Sequence, residues 1–216
     1  MKRGLSQEGL KLIACVSMLL DHIGAILLPQ VQWLRVIGRM AFPVYCFLLV
    51  EGIHRSKNLK KYQDRLILAA LLAEVPYDLA VSGGVDFARC SVMVTLLLGF
   101  WVVRLIQQRG SLWKRVAIIP LMLLSEILWS DYGSIGILII LLFEVTRNGN
   151  RWLLLLGMVA LNWSGASFHG IPIQLFAVLA LIPIWLYDGR KLTRSKWVQW
   201  GFYLFYPVHL LVLTLI

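Results

Sequence analysis

Charge is what this sequence has least of. Only 15% of its 216 residues are Asp, Glu, Lys or Arg, while 59% are hydrophobic and the mean hydropathy is +0.77. Soluble domains carry about a quarter charged and about half apolar residues. A water-soluble fold of this length cannot hide so much apolar surface, whereas a bilayer is itself an apolar solvent. Cysteine is scarce as well. Cys15, Cys46 and Cys90 fall in or beside apolar stretches, and their odd number excludes a complete disulfide framework. They read as packing residues. There is no Ser/Gly-rich linker, low-complexity tract or fixed-period repeat, so one domain spanning residues 1–216 is expected. Walker, dinucleotide-binding, CxxC and HExxH signatures are all missing. No metal is expected, and any chemistry must come from polar groups set among the apolar runs.

Those runs predict an all-α, polytopic membrane protein of about nine transmembrane helices. Their expected spans are Leu10–Leu28, Trp33–Ile53, Tyr62–Val81, Arg89–Ile106, Trp113–Trp129, Gly133–Val145, Trp152–Trp163, Pro172–Leu186 and Trp197–Leu215. Several are shorter than a perpendicular span, those flanking Asn148 most of all. The joints alternate in charge. Of the 21 Lys and Arg residues, all but Arg35, Arg39 and Arg89 fall at the amino-terminal end or in the second, fourth, sixth and eighth joints. One miscounted helix would transpose every later joint, so this partition supports the count. It predicts the amino terminus in the cytoplasm and the carboxyl terminus outside. It also explains the net charge of +10 without nucleic acid, since no basic face sits on a separate soluble module. The first segment resembles a signal peptide in having Lys2 and Arg3 before an apolar run. Asp21 and His22 interrupt that run and no small-x-small site follows, so a retained first helix is expected. Trp33, Trp129, Trp163 and Trp197 stand at helix ends, as interfacial anchors do.

Asp21, Arg39, Glu74 and Asp78 lie well inside apolar runs, with Glu51 and Glu126 nearer the ends. Four such residues exposed to lipid would cost on the order of 10 kcal/mol. They are therefore expected to face the bundle interior and form a polar centre. With the amino terminus inside, His22, Arg35, Arg39, Glu74, Asp78, Asp131 and His209 all fall in the outer half of the membrane. Arg35 and Arg39 are four apart and share a helix face, as do Glu74 and Asp78. The simplest structural account is that the arginine pair neutralises the acid pair. The functional one is that the arginines receive an anion. His22 is a candidate general base near neutral pH. Asp21, its neighbour, points about 100° away around the helix, so a carboxylate from another helix would orient the ring. Tyr206 and His209 share one face of the last helix beside Pro207, either as a bent packing element or as a second polar contribution to the site. His169 falls in a loop and reads as solvated.

Several segments resemble the TraX family. They are Leu10-Lys11-Leu12-Ile13 leading to Met18-Leu19-Leu20-Asp21-His22-Ile23-Gly24, Arg35-Val36-Ile37-Gly38-Arg39-Met40-Ala41-Phe42-Pro43, Leu48-Leu49-Val50-Glu51-Gly52, Glu74-Val75-Pro76-Tyr77-Asp78, Thr95-Leu96-Leu97-Leu98-Gly99, Asp131-Tyr132-Gly133 and Phe205-Tyr206-Pro207-Val208-His209-Leu210. Each alone is weak, but their ordered set covers nearly the whole chain. The resemblance implies a multi-pass protein of the bacterial inner membrane, associated with conjugation and with acetylation of the pilin amino terminus. It thus implies an acyltransferase using cytoplasmic acetyl-CoA, with Asp21, His22, Arg39, Glu74, Asp78, Asp131 and His209 as the matched polar residues. An acyltransferase-3-like relationship would rest on architecture alone.

On this reading acetyl-CoA leaves its phosphates at the basic loops and delivers its acyl group into the bundle. The acceptor is an amine or hydroxyl of a peptide, such as a pilin amino terminus, or of a glycan. His22 deprotonates it, Arg39 polarises the thioester carbonyl or positions an acceptor carboxylate, and Glu74 or Asp78 orients these groups. Asp21 belongs to the same catalytic set; Arg35, Asp131, Tyr206 and His209 are candidate substrate-binding residues. Two rivals remain: a proton-coupled transporter, since buried Asp, Glu and His also build proton relays, and a structural polar network without catalysis. The absence of an inverted repeat weighs against common secondary transporters.

Overall fold

In the computed structural model, residues 4–85, 88–108, 116–169, 172–193 and 195–216 are described, with backbone alone at 165–169 and 172. Among them the chain is all-helical apart from turns and a single backbone bridge, Leu5 to Tyr187. Helix α1 (Gln7–His22) continues into a π-helical turn, Ile23–Leu27. Helices α2 (Gln32–Gly38) and α3 (Ala41–Arg55) form one interrupted rod, and α4 (Leu59–Ser82) is the longest. Next come α5 (Val92–Gln107), α6 (Ile118–Ile127), α7 (Gly133–Thr146) and α8 (Arg151–His169). A 3-10 helix (Pro172–Ala180) leads into α9 (Leu181–Leu186), and α10 (Lys196–Thr214) ends the fold.

These rods follow the nine apolar runs, with instructive differences. The second run breaks at Arg39–Met40, the fourth starts at Val92 behind Ser91, and residues 113–115 of the fifth lie outside the described residues. The seventh is longer than expected and runs through Ser164 to His169, so His169 ends a helix instead of lying in a loop. The eighth is half 3-10, which suits a stretch that opens on Pro172. Local caps explain the starts. Ser6 Oγ accepts the Gly9 N–H at 3.1 Å, and Asn58 Oδ1 accepts the Lys61 N–H at 2.9 Å. Gly83, at φ +70°, ends α4 in the left-handed conformation that glycine adopts freely.

Successive rods alternate in direction, which sorts the joints to two ends. At one end His54, Gln107 and Glu144, at the carboxyl ends of α3, α5 and α7 beside the second, fourth and sixth joints, bond to one another. The amino-terminal segment is strapped to the eighth joint there. Leu5 N–H donates to Leu186 O at 2.7 Å, Gln7 N–H to Arg190 O at 2.8 Å, and Glu8 accepts the Leu192 and Thr193 N–H groups. The exposed Asp188 carboxyl beside that strap is held below the usual carboxylate range, chiefly by the Arg190 backbone N–H. At the opposite end Cys90 N–H donates to Leu128 O and Asp131 N–H to Cys90 O, joining the third and fifth joints.

The core runs along the bundle through Leu10, Val44, Leu49, Phe100, Ile140, Met158 and Leu210. The outer faces are also apolar: Leu71, Ile127, Leu156 and Leu186 are exposed, as are Trp33, Trp129, Trp163 and Trp197 at the helix ends. Among the described residues, Gln7–Leu27 and Gln32–Arg55 are each long and apolar enough to cross a membrane. Where α1 meets α2, a side chain at Gly38 would collide with Asp21, so glycine alone permits that approach. Gly38→Val is expected to destabilise the protein by about 1–3 kcal/mol, as overpacking does. Gly201→Ala, whose Cβ meets open space, should leave stability unchanged or raised. Melting of the two variants in detergent checks the contrast, and equal melting temperatures would remove the packing role of Gly38.

Candidate functional site

Asp21, near the end of α1, is gripped by two arginines. Arg35 Nε donates to Oδ1 at 3.0 Å, Arg39 Nε donates to the same oxygen at 3.2 Å, and Arg39 Nη2 donates to Oδ2. The Arg39 side chain is 10% exposed, Asp21 15% and Arg35 29%, so the inner half of the clamp is the better shielded. Arg39 Nη1 also donates to Gln174 Oε1 at 3.3 Å. Gln174 passes the contact to Asn162 Oδ1 at 3.0 Å, and Asn162 donates to Met158 O at 2.8 Å. The arginine pair therefore answers Asp21, not Glu74 and Asp78 as the shared spacing suggested. The short α2 lies directly against α1, and the bidentate geometry of a guanidinium favours the nearest carboxylate.

The clamp fixes the neighbouring His22. Its Nδ1 lies 2.6 Å from His209 Nε2, and the two rings stack with centroids 4.9 Å apart. His209 Nδ1 lies 2.6 Å from Phe205 O. A backbone carbonyl only accepts, so His209 Nδ1 carries a proton. In the neutral pair His209 Nε2 then accepts, His22 Nδ1 donates, and His22 Nε2 keeps a lone pair. Tyr206 stands edge-on to both rings, at 6.0 Å from His22 and 5.7 Å from His209. Sequence spacing placed Tyr206 and His209 on one face, and both turn toward His22.

Glu74 has a different duty from the orienting one expected. Its carboxylate accepts the Ser91 backbone N–H, at 3.1 Å to the nearer oxygen, and the Ser91 hydroxyl at 2.6 Å, tying α4 to the start of α5. Asp78 is buried one turn further along α4. Asp131 is in the joint between α6 and α7, its side chain open to solvent. Its neighbour Tyr132 has φ +67°, a left-handed backbone uncommon for a bulky residue, and stacks on Phe42 at 3.8 Å. Among the described residues no group of three His, Cys, Asp or Glu side chains is disposed to bind a metal.

A cavity of about 390 Å³ opens at the end that carries the basic joints. Lys11, Arg55, Lys57, Arg65 and Lys191 ring its mouth, and no acidic side chain is among its described lining residues. Arg65 donates to Gln199 at 3.3 Å and lies over Tyr62 and Tyr203; Arg55 pairs with Glu51 at 2.5 Å and donates to Gly189 O. Below the mouth the lining turns apolar, through Leu48, Leu49, Leu66, Leu96 and Phe202, and reaches Met18, Tyr45, Val92 and Tyr206. From Arg55 to Tyr45 along α3 is about 15 Å of helix axis. His22 is one turn, about 6 Å, beyond Met18 on the same face of α1. The imidazole pair therefore sits just past the deep end of the cavity.

The TraX protein family matches residues 6–216. The chain belongs to the TraX family. Curated relatives agree along nearly the full length. The chain is 28% identical to a Dichelobacter nodosus protein named "Probable fimbrial assembly protein FimC, serogroup H1", covering 94% of this chain and 92% of that one. It is also 28% identical to Escherichia coli "Protein TraX", covering 94% and 84%, and 24% identical to an uncharacterized Rickettsia prowazekii protein, covering 97% and 91%. No solved structure matches. In this TraX-family chain the residues that sequence reasoning passed over are Gln174, Asn162, Tyr45 and Ser91. Gln174 and Asn162 carried the same signal as the charged residues, a polar group inside an apolar run, without the formal charge that drew attention to the others.

Removing one partner from a buried ion pair strands the other charge, at about 3–5 kcal/mol. Arg39→Ala is expected to lose stability in that range, and Arg35→Ala clearly less, because Arg35 is the more exposed of the two. Denaturant unfolding in detergent measures both. An Arg35→Ala cost equal to or above that of Arg39→Ala would contradict the assigned geometry.

Proposed function

We propose that this protein is a multi-pass acyltransferase of the bacterial inner membrane. It would move an acetyl group from cytoplasmic acetyl-CoA to an amine or hydroxyl on the outer side, on a peptide such as a pilin amino terminus or on a glycan. The carrying observation is the cavity that runs from a mouth of five cations to Tyr206, one helical turn from the His22–His209 pair. A polyphosphorylated donor suits that mouth, because five cations line it with no acidic residue among its described lining residues, and clustered like charge focuses positive potential. A flexible thioester arm suits the apolar throat. The relatives' names, a fimbrial assembly protein and TraX, fit an acceptor at the outer face.

The membrane arrangement is part of the proposal. Nine rods with exposed apolar flanks, tryptophans at their ends and basic joints gathered at one end fit nine spans, with the amino terminus inside. A rod as short as α7, 14 residues, would cross a locally thinned bilayer rather than one of full thickness. In the chemistry, the His22 Nε2 lone pair takes the proton of the attacking nucleophile. His209 holds the tautomer through Phe205 O, and the Asp21–Arg39 clamp fixes the backbone that carries His22. Arg39 is thereby a positioning residue, its donors directed at Asp21 and Gln174. Glu74 positions the start of α5.

A placed general base contributes about 10²–10⁴-fold. His22→Ala is expected to insert and melt like the native protein while transfer of radiolabelled acetyl groups in membranes falls by that factor. Near-native transfer would dismiss His22 as the base. For topology, a reporter after Ile216 should be extracytoplasmic and one at Lys60 cytoplasmic; both on one side would refute the nine-span arrangement.

A further inference from the structure

The polarisation of the thioester needs a donor, and the residue first expected to supply it does not line the cavity: Arg39 is spent on Asp21 and Gln174. Four tyrosines do line it, Tyr45, Tyr62, Tyr203 and Tyr206. Tyr45 meets Cys15 Sγ at 3.2 Å, while Tyr62 and Tyr203 sit under Arg65 toward the mouth. Tyr206 alone touches both compartments, bordering the cavity on one side and the imidazole pair on the other.

We infer that Tyr206 is the oxyanion donor, a catalytic residue that partitions the donor cavity from the general base; this rests on the acyl-transfer reading above. The acceptor amine attacks the thioester carbonyl carbon. The N–C bond forms while the carbonyl π pair moves to oxygen, where the Tyr206 O–H holds the negative charge. The amine proton passes to His22 Nε2. When the carbonyl re-forms, the C–S bond breaks and the thiolate leaves with the proton returned from His22. Nothing is oxidised or reduced. The arrangement also sets the order of contacts: the acyl carbon must reach the level of Tyr206 before His22 can serve the nucleophile.

The test uses the full chain in nanodiscs, with acetyl-CoA, a synthetic peptide bearing a free amino terminus, and water as the fallback acceptor. Released thiol reports turnover, and binding of a non-cleavable acetyl-CoA analogue reports the cavity. Tyr206→Phe keeps the ring and loses the donor. It is expected to lower kcat by about 10²–10³-fold, as loss of one oxyanion-hole donor does, with analogue binding and melting unchanged. Near-native kcat overturns the inference and leaves the acyl-transfer reading standing. If Tyr206→Phe melts early, 3-fluorotyrosine at position 206 decides, since it keeps the hydroxyl and acidifies it. The alkaline limb of the kcat–pH profile should move to lower pH, and an unmoved limb overturns the inference. A native protein that binds the analogue without turnover also overturns it. One that neither binds nor turns over overturns the acyl-CoA reading itself.

Discussion

A carboxylate inside an apolar bundle must be neutralised where it stands, and here that requirement falls on Asp21. Two guanidinium groups converge on its oxygens, and the second continues through Gln174 and Asn162 to a backbone carbonyl of α8. One buried charge thus couples α1, the α2–α3 break, α8 and the 3-10 helix. The clamp is electrostatic in origin and geometric in effect. Because Asp21 cannot move without stranding two cations, the adjacent His22 has a fixed position opposite α10. Gly38 completes the constraint sterically, since no other residue lets α2 come close enough for Arg35 and Arg39 to reach the same oxygen.

The second organising feature is the contrast between the two ends. The cationic mouth is assembled from four separate stretches of chain, α1, the joint after α3, the start of α4 and the joint before α10. Each brings positive charge to the mouth, and Glu51 meets that of Arg55. The strap between the amino-terminal segment and residues 186–193 keeps them together through backbone bonds and the Glu8 carboxylate. Lys11 lies over the Phe202 ring at 5.1 Å. The His22–His209 pair and the Asp21 clamp lie beyond the deep end of the cavity. A molecule with an anionic head and a slender neutral tail matches this polarity in one orientation only.

How much of this was legible in the sequence depends on the kind of information. Element existence was, because apolar runs of fixed length separated by polar joints leave little choice; the helices at Leu10, Gly133 and Trp197 fall where the runs do. The irregularities inside the rods were less so. The interruption at Arg39–Met40 and the 3-10 character of Pro172–Ala180 arise from packing against neighbours, which periodicity does not encode. Among site residues, the intramembrane cost of polarity singled out Asp21, His22, Arg39 and His209, which do lie together. Partner assignment failed for the arginines because spacing of four residues shows that two groups share a face and not which carboxylate that face meets. The cavity was foreshadowed only as an expectation of a path from the basic loops. Its walls come from five helices distant in sequence.

Several polar side chains of the site share one further property: they stand at departures from regular α-helix. The π-helical turn begins directly after His22, α2 ends at Arg39, Pro207 precedes His209 by two residues, and Asp131 sits beside the left-handed Tyr132. In an apolar surrounding such departures are expensive, because every freed backbone group must find a partner. A regular helix repeats every 3.6 residues and aims its side chains along one stripe. Turning a histidine, an arginine and a carboxylate from different rods onto a common centre demands local changes of pitch. That demand is why the site and the breaks in the helices coincide.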